Sequence, residues 1–83
     1  MPNFEVILTK KAQKNLKKIP LKDQSRIKHK LLYLEKKPYL EKKLGGELEG
    51  LYTFRIWPYR AIYWIEKRTV WVVKIQHRQG AYR

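Results

Sequence analysis

The first 36 residues change from the apolar pattern of a strand to that of two helices. Residues 3–8 are rich in strand-forming side chains and predict a first strand. Apolar residues at helical spacing then predict one helix from an N-cap at Thr9 to Pro20, and a second over about 21–36. Pro38 forbids continuation of the second helix, because proline has no backbone N–H to donate. We expect the two helices to form a hairpin.

The second half of the chain has the pattern of a sheet. Residues 37–50 contain three glycines and have no sustained period, so they are expected to connect the helices to the strands. Aromatic and β-branched runs predict three strands, at 51–57, 59–66 and 69–77. Pro58 suits a tight turn between the first two, and polar residues supply the second turn. The three strands should form an antiparallel meander.

Helices segregated from a run of strands predict an α+β fold. It comprises an N-terminal strand, a two-helix hairpin packed on one face of the sheet, and the three-stranded antiparallel meander. Alternation along the first strand of the meander separates two sets: Tyr52, Phe54 and Ile56 on one face, and Thr53, Arg55 and Trp57 on the other. A guanidinium can therefore stand on an apolar sheet without entering the core.

The size and composition of the chain limit the choice of function. A chain of 83 residues predicts one domain, over 1–83. Cysteine is absent, so disulfides and thiolate metal sites do not support the fold. No apolar run approaches the ~20 residues that span a bilayer. We expect a cytoplasmic protein without a membrane partner.

The chain is strongly basic, which points to a polyanionic partner. Twenty Lys and Arg against seven Asp and Glu give a net charge of +13. Lysine dominates residues 10–43, whereas arginine dominates residues 55–83. Arginine offers a planar fork suited to bidentate phosphate contacts, whereas lysine acts as a mobile point charge. The first half is therefore interpreted as a steering field and the second half as a site.

Three arginines are the main candidates for that site. Arg55, Arg60 and Arg78 lie on or next to adjacent predicted strands, where their charges repel each other unless an anion or a carboxylate lies among them. The alternative to a bound phosphate is pairing with carboxylates of the chain itself, of which the nearest in sequence are Glu47, Glu49 and Glu66.

His77 is the candidate for proton transfer. It is the imidazole next to these arginines in the sequence, and its ordinary pKa of about 6.5 suits a general base near neutral pH. Glu47, Tyr52 or a water molecule are the alternatives for that role. The carboxylates are scattered and form no cluster at ligand spacing, so neither a metal nor another cofactor is expected.

The order of elements and four short motifs together resemble the RelE/ParE superfamily, the toxins of type II toxin–antitoxin systems. The motifs are Leu51-Tyr-Thr-Phe-Arg-Ile, Tyr59-Arg-Ala-Ile-Tyr, Ile75-Gln-His-Arg and the terminal Ala81-Tyr-Arg. The resemblance covers essentially the whole chain and implies a RelE-like fold, with a sheet like that of microbial ribonucleases. It includes two activities, because RelE-like members cleave mRNA in the ribosomal A site and ParE-like members inhibit DNA gyrase.

The resemblance also implies roles for individual residues. Arg55, Arg60 and Arg78 match the basic residues that contact the scissile phosphate in RelE-like members, and Tyr82 matches the tyrosine that stacks on the substrate base. RelE-like enzymes often carry a further basic residue where this chain has Thr53. Together with His77, which is a candidate because of its own acid–base chemistry, these residues give the expected catalytic set Arg55, Arg60, His77, Arg78 and Tyr82.

Three hypotheses for function follow. The first is a ribosome-dependent, metal-independent mRNA endonuclease that inhibits translation, with the ribosome and mRNA as partners. The second is a gyrase inhibitor of the same fold without nuclease activity, and the third is a non-catalytic basic module that binds nucleic acid. For a toxin we expect an acidic, partly disordered antitoxin and a toxin–antitoxin hetero-oligomer.

Overall fold

A helical hairpin packed on one face of a mixed sheet forms the fold. The computed structural model describes residues 3–40, 42–43 and 50–77. Its strands and α-helices are β1 (Glu5–Leu8), α1 (Lys10–Lys17), α2 (Leu21–Leu31), β2 (Lys42–Lys43), β3 (Leu51–Ile56), β4 (Tyr59–Glu66) and β5 (Thr69–His77). Two 3₁₀ turns, Leu32–Glu35 and Pro38–Leu40, follow α2. The predicted α+β fold is confirmed, and none of the helices in the described ranges is long and apolar enough to cross a membrane.

The sheet contains one strand more than the sequence predicted. Its order is β1-β5-β4-β3-β2, with β1 parallel to β5 and the other neighbours antiparallel. The meander of β3, β4 and β5 is as predicted. The additional strand, β2, has only two residues, and a segment that short has no period from which to predict it.

The hairpin is fixed to the sheet by its apolar stripe and by its first cap. Thr9 precedes α1, and its hydroxyl accepts a hydrogen bond from the Ala12 backbone N–H at 3.3 Å. Ala12 and Leu16 are one turn apart on α1, and both are buried in the core cluster. Ile27 and Leu31 repeat this spacing on α2. Both helices therefore bury one face against the same sheet.

The helix-facing side of the sheet forms the core. Tyr52, Phe54 and Ile56 of β3 are all buried, as alternation predicted. Tyr63 of β4 is fully buried and stacks on Tyr52 with ring centroids 5.3 Å apart. Its hydroxyl donates to the Pro38 carbonyl at 2.6 Å, which joins the segment after the helices to the middle of the sheet.

A bulge in β5 reverses the alternation of its side chains. Ile62 of β4 pairs with Lys74, whereas the next residue, Tyr63, pairs with Val72. Val73 is therefore an extra residue on β5, and an extra residue exchanges the two faces for everything that follows it. Val72 is buried before the bulge and Ile75 is buried after it. The side chains at the end of β5 therefore lie on the faces opposite to those that strict alternation predicts.

Candidate functional site

Two arginines lie side by side on the face of the sheet opposite the helices. Arg55 of β3 and Arg60 of β4 are directly paired across the antiparallel ladder. The chain neighbours of Arg55, Phe54 and Ile56, are buried against the helices, so alternation directs Arg55 to the other face. Arg55 is exposed and Arg60 is half-buried. Like charges directly opposite each other destabilise a sheet, so this pair is unfavourable unless an anion binds to it.

A glutamine extends the arginine pair onto a third strand. Arg60 pairs with Gln76 of β5, because the bulge has already shifted the register. Arg55, Arg60 and Gln76 thus form one row across β3, β4 and β5, which we call the arginine row. The sequence analysis did not identify Gln76 as a site residue. The only available signal was the run of consecutive apolar residues Trp71, Val72 and Val73, which interrupts the alternation of β5 and is compatible with a bulge before Gln76.

The arginine row has no counter-charge among the residues that the structure describes. The ion pair that the structure shows within the described ranges joins Arg26 to Asp23 at 3.6 Å, and both residues belong to α2. Glu66 pairs with Thr69 at the far end of β4 and forms no ion pair with either arginine. Glu47 and Glu49 lie outside the described residues. Within the described ranges the two guanidinium groups therefore have no carboxylate partner.

Thr53 lies two residues before Arg55 on β3 and is not part of the exposed surface. Only 8% of Thr53 is exposed, and within the described ranges its hydroxyl has no hydrogen-bond partner. It is paired with Lys42 of β2 on one side and Ile62 of β4 on the other. The exposed charge of this strand is therefore carried by Arg55.

His77 lies on the helix-facing side of the sheet, across from the arginine row. It pairs with Tyr59, and the two rings meet edge to face with centroids 5.3 Å apart. Ile75, two residues earlier on the same face, is buried in the core. The catalytic role of His77 stays a prediction, but its side chain lies on the face of the sheet opposite Arg55 and Arg60. The reason is the bulge at Val73, because without it alternation would place residue 77 on the other face.

Tyr59 and Asp23 connect that side of the sheet to α2. The Tyr59 hydroxyl donates to Oδ2 of Asp23 at 3.3 Å. Partial burial, followed by the nearby Asp23 carboxylate, raises the pKa of Tyr59 above its ordinary value of 10.0. The phenol therefore stays protonated near neutral pH and acts as a hydrogen-bond donor.

The two remaining site residues, Arg78 and Tyr82, lie outside the described residues, so their roles stay predictions. Trp57, in the turn that follows β3, is 63% exposed and stands two residues from Arg55. In the described part of the chain no group of three His, Cys, Asp or Glu side chains is arranged to hold a metal ion.

Comparison with solved structures identifies the fold. The toxin–antitoxin complex RelBE2 from Mycobacterium tuberculosis contains a chain that matches with a TM-score of 0.86 and 28% identity, over 92% of this chain and 99% of that chain. A free mutant of the E. coli toxin RelE matches with a TM-score of 0.77 and 19% identity, over 96% of this chain and 88% of that one. A chain of the chromosomal ParDE system of P. aeruginosa matches with a TM-score of 0.75 and 18% identity, over 89% of this chain and 95% of that chain.

The sequence itself matches one family. No curated protein is similar enough in sequence to count as a match. The family model for the ParE toxin of type II toxin–antitoxin systems, by contrast, matches residues 6–82. A match over nearly the whole chain, on a fold shared with RelE and ParDE structures, shows that this protein belongs to the ParE toxin family within the RelE/ParE superfamily.

Proposed function

We propose that this toxin is a ribosome-dependent, metal-independent endonuclease that cleaves mRNA and inhibits translation. Its target would place it in the cytoplasm. The observation that carries the proposal is the arginine row, because Arg55 and Arg60 present adjacent guanidinium groups without a carboxylate partner among the described residues. Guanidinium forks bind phosphate oxygens bidentately, and a phosphate between the two arginines would replace their repulsion by attraction.

The proposed chemistry uses the row to stabilise charge. In the proposed reaction the 2′-oxygen forms a bond to phosphorus and gives a 2′,3′-cyclic phosphate, while the bond from phosphorus to the 5′-oxygen breaks and that oxygen takes a proton from water. The transition state carries extra negative charge on the phosphoryl oxygens, and fixed cations that meet this charge lower the barrier. Arg78 and Tyr82 complete the proposal through the family resemblance, as a further phosphate contact and as the platform for the substrate base. Since His77 lies across the sheet, the proton of the 2′-hydroxyl is assigned to water or to Glu47.

Inhibition of DNA gyrase is the second candidate, and two observations favour it. The matching family model is that of the ParE toxin. The position on β3 that is often basic in RelE-like enzymes is also the buried Thr53 here, and His77 lies on the other side of the sheet. A toxin that acts by binding needs the cations of the row but no base.

One experiment separates the two candidates. Purified toxin is added to a cell-free translation reaction, where mRNA cuts are mapped by primer extension, and in parallel to a gyrase supercoiling assay. The variant is Arg55→Gln, and the control is Arg68→Gln, which removes an exposed arginine from the turn between β4 and β5. We expect cuts in mRNA that Arg55→Gln lowers by roughly 10²–10³-fold and that Arg68→Gln preserves, as for loss of one oxyanion contact. Intact mRNA together with inhibited supercoiling would refute the nuclease and support the second candidate.

The proposed partner that restrains the toxin is an acidic antitoxin. The matched RelBE2 structure is a toxin–antitoxin complex, and a net charge of +13 favours a flexible anionic segment as the partner of this chain. Expression from the native locus, followed by purification of the toxin, should recover a small acidic protein in a defined ratio. Recovery of the toxin alone at physiological salt would contradict this part of the proposal.

A further inference from the structure

A cavity lies on the helix-facing side of the sheet, away from the arginine row. It has a volume of about 330 Å³ and opens between the end of α1 and the strand ends where β4 begins and β5 finishes. This volume is at the small end of ligand pockets, which hold about 300–1,000 Å³. It has room for one or two side chains of a partner. None of the functions proposed above uses it.

The walls of this cavity are apolar. Ile75 is 3% exposed and Ile19 is 9% exposed, so both present aliphatic surface that belongs to the core. Pro20 and the ring of Tyr59 complete the apolar lining. An apolar side chain entering the cavity would cover this surface and gain about 25 cal/mol for each Å² removed from water.

Asn15 and Lys18 supply hydrogen-bond donors at the cavity. Oδ1 of Asn15 accepts from the Ile75 backbone N–H at 3.0 Å, which holds the side chain and leaves its Nδ2 group as the donor facing a ligand. Lys18, directly after α1, adds an exposed ammonium group, and His77 adds a ring at the opposite wall. Donors and positive charge around an apolar floor suit a carboxylate attached to an apolar neighbour.

Among the residues that the structure describes, no carboxylate lines the cavity to compete with such a ligand. Asp23, which contacts the cavity residue Tyr59, is already bonded to the Tyr59 hydroxyl at 3.3 Å and paired with Arg26 at 3.6 Å. Tyr59 therefore offers its ring to the cavity while its hydroxyl is engaged. The charge of Lys18 at the cavity is therefore not neutralised by any of the described lining residues.

We propose that this cavity docks an acidic peptide segment. A carboxylate of the segment binds Lys18 and Nδ2 of Asn15, and an adjacent apolar side chain covers Ile19 and Ile75. Charge complementarity with the +13 chain supports a peptide rich in Asp and Glu. The aliphatic walls, and a lining that contains no arginine, favour a peptide over RNA, whose phosphates bind preferentially to arginine forks.

The proposal deepens the proposed function in one respect, since it rests on the acidic partner and locates one of its contacts. It does not depend on the choice between mRNA cleavage and gyrase inhibition. Because the cavity and the arginine row are on opposite faces of the sheet, a peptide in the cavity touches neither Arg55 nor Arg60.

The test uses a short fluorescent peptide with repeated Glu-Leu pairs separated by serines, measured by anisotropy against the full-length toxin at physiological salt. The variant is Lys18→Gln, and the matched control is Lys17→Gln, the neighbouring exposed lysine that does not line the cavity. We expect Lys18→Gln to weaken binding about tenfold, the effect of losing one charge-assisted contact, and Lys17→Gln to weaken it less than threefold.

Three outcomes would overturn the proposal. Equal losses in the two variants would show that the peptide responds only to overall charge. Equally tight binding of a Gln-Leu version of the peptide would show that no carboxylate is recognised. Displacement of the peptide by an oligonucleotide, with loss of oligonucleotide affinity in Lys18→Gln alone, would assign the cavity to RNA. Cleavage of mRNA by Lys18→Gln toxin is measured separately, so failure of the docking site remains distinguishable from failure of the proposed activity.

Discussion

The arginine row predicts that one substitution will increase stability while it decreases function. Arg55→Gln removes one of two like charges that face each other across β3 and β4. Directly opposed residues have Cβ atoms about 4.5–5.5 Å apart, so we take a charge separation of roughly 7 Å. Repulsion at that distance is about 0.6 kcal/mol in water and about 2.4 kcal/mol at an effective dielectric constant of 20. Since Arg55 is exposed, the lower value applies, and the free energy of unfolding should rise by about 0.5 kcal/mol.

Salt provides the assay that identifies the cause. Urea unfolding is measured in about 0.01 M and about 1 M salt, where the Debye length is roughly 30 Å and 3 Å. The gain from Arg55→Gln should be present at low salt and absent at high salt. Arg68→Gln corrects for the general effect of one cation fewer on a basic protein, because Arg68 is exposed in a turn. Its guanidinium lies 5.7 Å from the centre of the Phe4 ring, and loss of this contact costs about 0.5–1 kcal/mol, so the two variants are compared by the change in stability between low and high salt.

Two results would refute this reasoning. A loss of stability in Arg55→Gln that is independent of salt would mean that Arg55 makes a structural contact and is not held in place for a ligand. A gain in Arg68→Gln as large as that in Arg55→Gln would mean that the row has no special repulsion. The expected combination, higher stability with lost toxicity, is typical of a residue retained for binding.

Three further predictions concern the contacts around the core and the cavity. Tyr63→Phe leaves the buried Pro38 carbonyl without its 2.6 Å donor and should lower the free energy of unfolding by about 1–3 kcal/mol in urea titrations. Asn15→Ala should cost a similar amount by removing the acceptor of the Ile75 N–H, whereas Asn15→Asp, which keeps an oxygen there, should cost less. The raised pKa of Tyr59 means that its contribution to stability is complete below about pH 10 and is lost as the pH rises through the folded-state value, so Tyr59→Phe should lose less stability than the parent between pH 9 and 11.

Alternation explains why the position of Arg55 was predictable from the sequence. Within β3 the apolar residues Tyr52, Phe54 and Ile56 have a strict period of two, and the structure buries all three. A residue between two buried neighbours of a regular strand faces the other side of the sheet. The face on which Arg55 lies therefore required no knowledge of the rest of the fold, whereas its exposure did, because Thr53 on the same face is buried.

The face on which His77 lies could not be predicted from the period of two along β5, because it depends on a bulge in that strand. Strict alternation from Val72 would place Ile75 and His77 on the face opposite the helices. Both lie on the helix-facing side because Val73 is bulged out of the ladder, and the bulge is visible only once β5 is registered against β4. A run of adjacent apolar residues indicates that a bulge can occur but does not fix where it forms. Prediction of the arginine row from sequence was therefore secure on β3 and incomplete on β5.

The two faces of β4 separate stability from binding within one strand. Ala61 and Tyr63 are fully buried against the helices, whereas Arg60 lies between Arg55 and Gln76 on the other face. Side-chain changes at the buried positions alter packing, and their cost follows lost volume and lost hydrogen bonds. Substitution of Arg60 removes a charge. Its effect on stability combines the relief of repulsion with Arg55 and the loss of the packing that the half-buried Arg60 side chain makes. A sheet of this kind can change its binding target through its outward positions while its core remains the same.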